Sequence, residues 1–224
     1  MSPVNSMTFA VLDVKPEPYA VAPNLTARIG IASLADEPVH AIALRAQVRI
    51  EPHRRRYSEE EGAGLADLFG PRERWRDTQR TFLWMHCATM IRGFHGGSEV
   101  DLPMPVTYDF EVTGSKYLHA LREGTVPLIF LFSGTVFLKG TMGFGIQQIP
   151  WDREDKFDMP VSVWHDVMAA HYPNSGWLRL SRETLDALAA YKSEHGMLGF
   201  DDAVTQLLAR CPEQTPSTGG EAQP

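Results

Sequence analysis

His86, Cys87 and His95 are the densest grouping of metal-ligating residue types in the sequence, and their spacing does not suit a shared ion. His86 and Cys87 are neighbours on an expected strand, so their side chains leave on opposite faces and cannot grip one metal without a bulge. Cys87 reads instead as a small core residue. His165 and His171 stand six apart on an expected helix. That places them about 120° from a common face, whereas a helical two-ligand grip uses positions i and i+4. Ser133-Gly134 lacks the preceding glycine of a nucleophile elbow and falls inside an apolar run rather than at a strand-to-helix turn. Gly140, Gly143 and Gly145 have neither the order of a dinucleotide loop nor a following Lys-Ser/Thr pair, and read as a hairpin connection. Tyr108, Asp109, Lys116 and Tyr117 are acid–base types without a base–orienter arrangement. No catalytic residue is assigned, and no metal or cofactor is expected.

Recognition chemistry is better represented. Arg54, Arg55 and Arg56 open an insertion, and Arg72, Arg74, Trp75 and Arg76 close it, in a chain with 21 Lys+Arg against 28 Asp+Glu and a net charge of -7. Arginine and tryptophan are enriched at the energetic centres of interfaces, because a guanidinium binds carboxylates in pairs and an indole buries a large apolar area. Two readings stand side by side. Either these seven residues face a partner protein, with Trp75 exposed, or Trp75 folds into the core and the arginines pair with Glu59, Glu60, Glu61 and Asp77. The overall negative charge disfavours a nucleic-acid partner.

The elements that would position these residues are mostly strands. Alternation is clearest at Ile42, Leu44, Ala46, Val48 and Ile50, with Ala43, Arg45, Gln47 and Arg49 on the other face. Further strands are expected over 8–14, 25–33, 78–91, 100–102, 106–112, 126–138 and 144–149. The strand over 78–91 has small or apolar residues on both faces, as one buried between two layers would, and Gly134 marks a bend or bulge in 126–138. Inside the insertion, Ser58 followed by Glu61 is a capping-box signature for a helix reaching Phe69, and another short helix is expected over 115–121. After Trp151 the period becomes helical, with Pro160 at a first helical position, Ser181 as a cap and Gly196 as a stop.

The fold class predicted is α+β, an antiparallel β-sandwich with a helical insertion and three C-terminal helices. Its divisions are a sandwich over 8–150 with the insertion at 53–77, a helical section over 151–210 packed on the sandwich, and a disordered tail over 211–224. Two cysteines are too few for a disulfide framework. No stretch reaches the roughly 18–20 apolar residues of a membrane helix, so a cytoplasmic protein without membrane insertion is expected.

Several fragments carry a family resemblance. They are Leu68-Phe69-Gly70 with Trp75, Thr107-Tyr108-Asp109-Phe110-Glu111-Val112, Pro127-Leu128 with Phe132-Ser133-Gly134-Thr135-Val136-Phe137, and Ile149-Pro150-Trp151-Asp152. The likeness continues through Pro160-Val161, Trp164, Trp177-Leu178-Arg179-Leu180 and Tyr191-Lys192. Together they resemble a bacterial family of uncharacterised proteins associated with gene clusters for high-affinity nickel–iron (NiFe) hydrogenases. The resemblance implies an accessory role in hydrogenase assembly or function, with a hydrogenase subunit or maturation factor as partner. The sequence lacks the paired cysteines of a metallochaperone and the four of an iron–sulfur site, so such a role would act through protein contacts. The leading expectation is therefore a non-enzymatic adaptor. The alternative is a small-molecule-binding or hydrolytic enzyme with a site built from distant residues.

Overall fold

The computed structural model describes residues 7–33, 38–106, 113–140, 143–173 and 180–210. Alternating apolar residues form β1 (Met7–Pro16), β2 (Asn24–Ser33), β3 (Val39–Ile50), β4 (Phe82–Phe94), β5 (Gly97–Pro105), β6 (Thr125–Gly140), β7 (Gly143–Gln148) and β8 (Glu154–Pro160). All pairings are antiparallel. One sheet has the order β1-β2-β5 and the other β4-β3-β6-β7, with β8 along the first half of β6. Their inner faces supply the core: Phe9 stacks on Phe132 at 5.0 Å between ring centroids, joining the two sheets. Ile42, Leu44, Val48, Phe130 and Leu102 are fully enclosed.

The expected β-sandwich with helical additions is the fold found, with local corrections. The strands expected over 100–102 and 106–112 were separated by Pro103 and Pro105, but β5 runs through both prolines. It lies at a sheet edge, where a missing N–H breaks no ladder; residues 107–112 lie outside the described residues. β4 is not buried on both faces, because His86, Ala88, Met90 and Arg92 are exposed on the outer side of the five-stranded sheet. Gly134 does not break the register, and Leu44 remains opposite it. It serves close approach instead: φ is +144°, and a Cβ there would lie 2.1 Å from the Ala43 carbonyl oxygen. β8, unexpected from the sequence, occupies the stretch read as leading into helices. Pro160 then caps the following helix rather than beginning it.

Between β3 and β4 the insertion folds into α1 (Glu59–Gly64), α2 (Ala66–Phe69) and α3 (Trp75–Thr78), with short 3-10 turns at Pro52–Arg54 and Arg72–Arg74. A π-type turn, Thr113–Leu118, stands where a short helix was expected, and it buries Tyr117 and Leu118. α4 (Val161–His171) buries Val161, Trp164 and Val167 and packs against β1 and β8. His171 bridges the end of α4 to the β1–β2 connection, with Nδ1 2.9 Å from the Val167 carbonyl and Nε2 3.0 Å from that of Ala20.

Met1–Gly176 and Trp177–Pro224 are separate compact units, and the first includes α4. In the second, α5 (Arg182–Glu194) and α6 (Phe200–Ala209) contact each other. The Ser181 hydroxyl caps α5 by accepting from Thr184 N at 3.1 Å, and Gly196, with φ +65°, lets the chain leave that helix. Residues 211–224, expected to be a tail, lie outside the described residues. Among the described residues no helix is long and apolar enough to cross a membrane.

Candidate protein-docking site

The insertion is organised around a buried ion pair. The Ser58 hydroxyl accepts from Glu61 N, and the Glu61 carboxylate accepts from Ser58 N, each at 3.1 Å, so the capping box forms as read. That box fixes Glu61, 2% exposed, where Arg55 Nη2 donates to both carboxylate oxygens at 2.8 and 3.0 Å and Arg122 N donates at 2.8 Å. Burial works to raise the Glu61 carboxyl. The backbone donors of Arg122 and Ser58, with the Arg55 charge, outweigh it and hold the group below the usual carboxylate range. Arg55 also donates to the carbonyls of Glu123 and Thr125 and lies 4.8 Å from the Tyr57 ring centroid, tying the insertion to the start of β6.

Aromatic rings fill the space beneath. Tyr57 Oη donates to the Pro52 carbonyl at 2.8 Å and lies 2.9 Å from Tyr117 Oη. Burial raises both phenols above their ordinary value, Tyr117 to about 12, so neither is a base near neutrality. Trp75 meets Tyr57 and Phe69 edge-on at 5.3 and 5.7 Å and donates from Nε1 to the Gly70 carbonyl at 2.8 Å.

Trp75 is therefore 8% exposed, which corrects the expectation of an exposed indole at the centre of a docking patch. The ring is drawn inward because Tyr57, Phe69 and Tyr117 form an aromatic well that the insertion closes. Four of the seven singled-out residues are engaged internally. Arg54 pairs with Glu51 at 2.9 Å and Asp158 at 3.3 Å, Arg55 with Glu61, and Arg72 donates to the carbonyls of Tyr57 and Ser58 while lying over Trp75; Trp75 is the fourth. Arg56, Arg74 and Arg76 remain exposed, with no ion pair to a carboxylate among the described residues. Glu61 was read as the capping-box partner of Ser58 and as one of several acids; its bond from Arg122, 61 positions away, and the Tyr57–Tyr117 pair, 60 positions apart, were missed because of those separations.

His86 and Cys87 do leave β4 on opposite faces: His86 is exposed and Cys87 is 4% exposed. Burial pushes the Cys87 thiol up to about 12, the behaviour of an inert core residue. Lys116 pairs with Asp67 at 2.8 Å on the surface. Tyr108 and Asp109 lie outside the described residues.

Residues 4–216 match a family model described as "Family of unknown function (DUF6084)". The chain belongs to the DUF6084 family. No curated protein matches this DUF6084 chain. Among solved structures, a β-glucosidase from Kluyveromyces marxianus aligns at 8% identity with a TM-score of 0.23, over 69% of this chain and 14% of that one. The chain thus spans about one seventh of the enzyme's length.

Proposed function

We propose that this DUF6084 protein is a non-enzymatic accessory protein that acts by binding another protein in the cytoplasm. The observation that carries the reading is the state of the insertion. Arg54, Arg55 and Arg72 are held by internal partners, while Arg56, Arg74 and Arg76 stand exposed on the same braced scaffold, without an ion pair among the described residues. A module already ordered loses little freedom on binding, so guanidinium groups projecting from it suit carboxylates on a partner surface. The sequence resemblance supports a finer reading, in which that partner is a hydrogenase subunit or maturation factor.

The test is affinity purification from the native cell with wild type and an Arg56→Ala/Arg74→Ala/Arg76→Ala variant. All three side chains are exposed, so the variant should melt like wild type. It should lose a hydrogenase subunit or maturation factor that wild type retains. Retention of the same partner by the variant would remove the insertion from the docking surface. Absence of hydrogenase components from the wild-type eluate would remove the finer reading.

A further inference from the structure

The two sheets treat their outward arginines in opposite ways. On the three-stranded sheet, Arg28 lies opposite Asp101 and bonds Asp101 at 2.9 Å and Glu99 at 3.1 Å, the usual cross-strand neutralisation. On the five-stranded sheet, Arg45 stands between Ala88 of β4 and Ser133 of β6. These small neighbours leave a depression of about 450 Å³, also bordered by Gln47 and His86, and no carboxylate among the described residues lines it. Arg49 and Arg92 share this outer face and likewise have no ion pair among the described residues. Arg49 Nε is buried without a hydrogen-bond partner.

Their spacing is regular. Arg92 is paired with Ala41, so the three guanidinium groups stand at the levels of positions 41, 45 and 49 along β3. Four strand residues span about 13 Å. Met90, 65% exposed, and the partly exposed Leu131 lie at the levels between them. Along β3 the face therefore alternates cations with apolar surface, on a chain of net charge -7, and its acids, Glu154 opposite Leu131 and Asp158, stand on β8 at the margin.

We infer that the outer face of the five-stranded sheet, centred on Arg45, docks an acidic amphipathic helix of a partner protein. A helix places residues two turns apart on one side, about 11 Å along its axis. Long guanidinium side chains can reach carboxylates at that repeat, while the helix's intervening apolar residues cover Met90 and Leu131. A nucleic-acid strand carries a charge about every 3.4 Å, far denser than this row, and the rest of the molecule would repel it. This surface is distinct from the insertion and extends the accessory role without depending on it.

The probe is a fluorescein-labelled, stapled helical peptide of Ala, Leu and Glu, with Glu at every seventh position beside its Leu stripe. Fluorescence anisotropy should show saturable binding that weakens with added salt. A peptide with Gln in place of Glu, the Arg45→Gln/Arg92→Gln variant, and a Ser133→Trp variant that fills the depression should each bind about tenfold more weakly or worse. Arg74→Gln/Arg76→Gln should bind the probe as wild type does, which separates this proposal from that for the insertion. Melting curves accompany every variant, and the peptide comparison needs no variant at all. The inference is overturned by no saturable binding up to about 1 mM, by equal binding of the Gln peptide, or by undiminished binding to folded Arg45→Gln/Arg92→Gln. Tighter binding of a single-stranded oligonucleotide or of phosphatidylserine vesicles would overturn it equally.

Discussion

The Arg55 guanidinium and the Glu61 carboxylate leave water together when the insertion folds, with side chains 8% and 2% exposed. Removing one strands the other. Arg55→Met should therefore cost about 3–5 kcal/mol, the range for an uncompensated buried charge, read from denaturant unfolding. Acid should act on the same pair. Glu61 is held low in the folded chain, so as pH falls the unfolded chain takes up its proton first. The stabilisation is complete above the ordinary glutamate value of about 4.3 and disappears as pH drops through the lower folded value. Melting temperatures of wild type and Glu61→Gln should then converge in acid; a constant gap would mean that Glu61 titrates normally. The capping box that sets up this pair was legible because Ser58 and Glu61 are three residues apart. The burial of Trp75 was not, because its well depends on Tyr117, which is remote in sequence.

At the scale of elements, the β3–β6 pair is the spine of the larger sheet, with β4 on one side and β7 and β8 on the other. Phe132, 2% exposed and stacked on Phe9, should cost about 3–5 kcal/mol when cut to Ala. Gly134→Ala should cost roughly 3 kcal/mol for a different reason, a positive φ combined with backbone in the way of the new methyl. Urea melts check both, and a loss under about 1 kcal/mol at Phe132 would place that ring outside the core. β3 was legible because its alternation is uninterrupted from Ile42 to Ile50. β8 was not: Glu154, Asp155, Lys156 and Asp158 look like loop, and of the inward-turned Asp155, Phe157 and Met159 only the last two are apolar. Whether a strand is central or at an edge is decided by pairing, which is why β5 was divided at its prolines.

Across the whole molecule, charge is arranged by face rather than by sequence segment. Among the described residues, one sheet neutralises its outward arginine, the other leaves three without an ion pair, and the insertion does both within about 20 residues. No single strand reveals this, because each contrast depends on what the neighbouring strand presents. The two sheets also meet along a seam, where Val11 N, at a break in β1's register, donates to Asp155 of β8 at 2.6 Å. Beyond that seam, β5 has no strand partner on its outer side among the described residues. A free strand edge invites another chain to add itself, and successive additions give aggregates. Pro103 and Pro105 deny such a newcomer two amide donors, while Glu99 and Asp101 place charge beside them. Replacing both prolines with Val should leave the melting temperature near that of wild type. The same change should increase light scattering during refolding at high concentration, so the residues that concealed β5 in the sequence would be those that keep one molecule from recruiting the next.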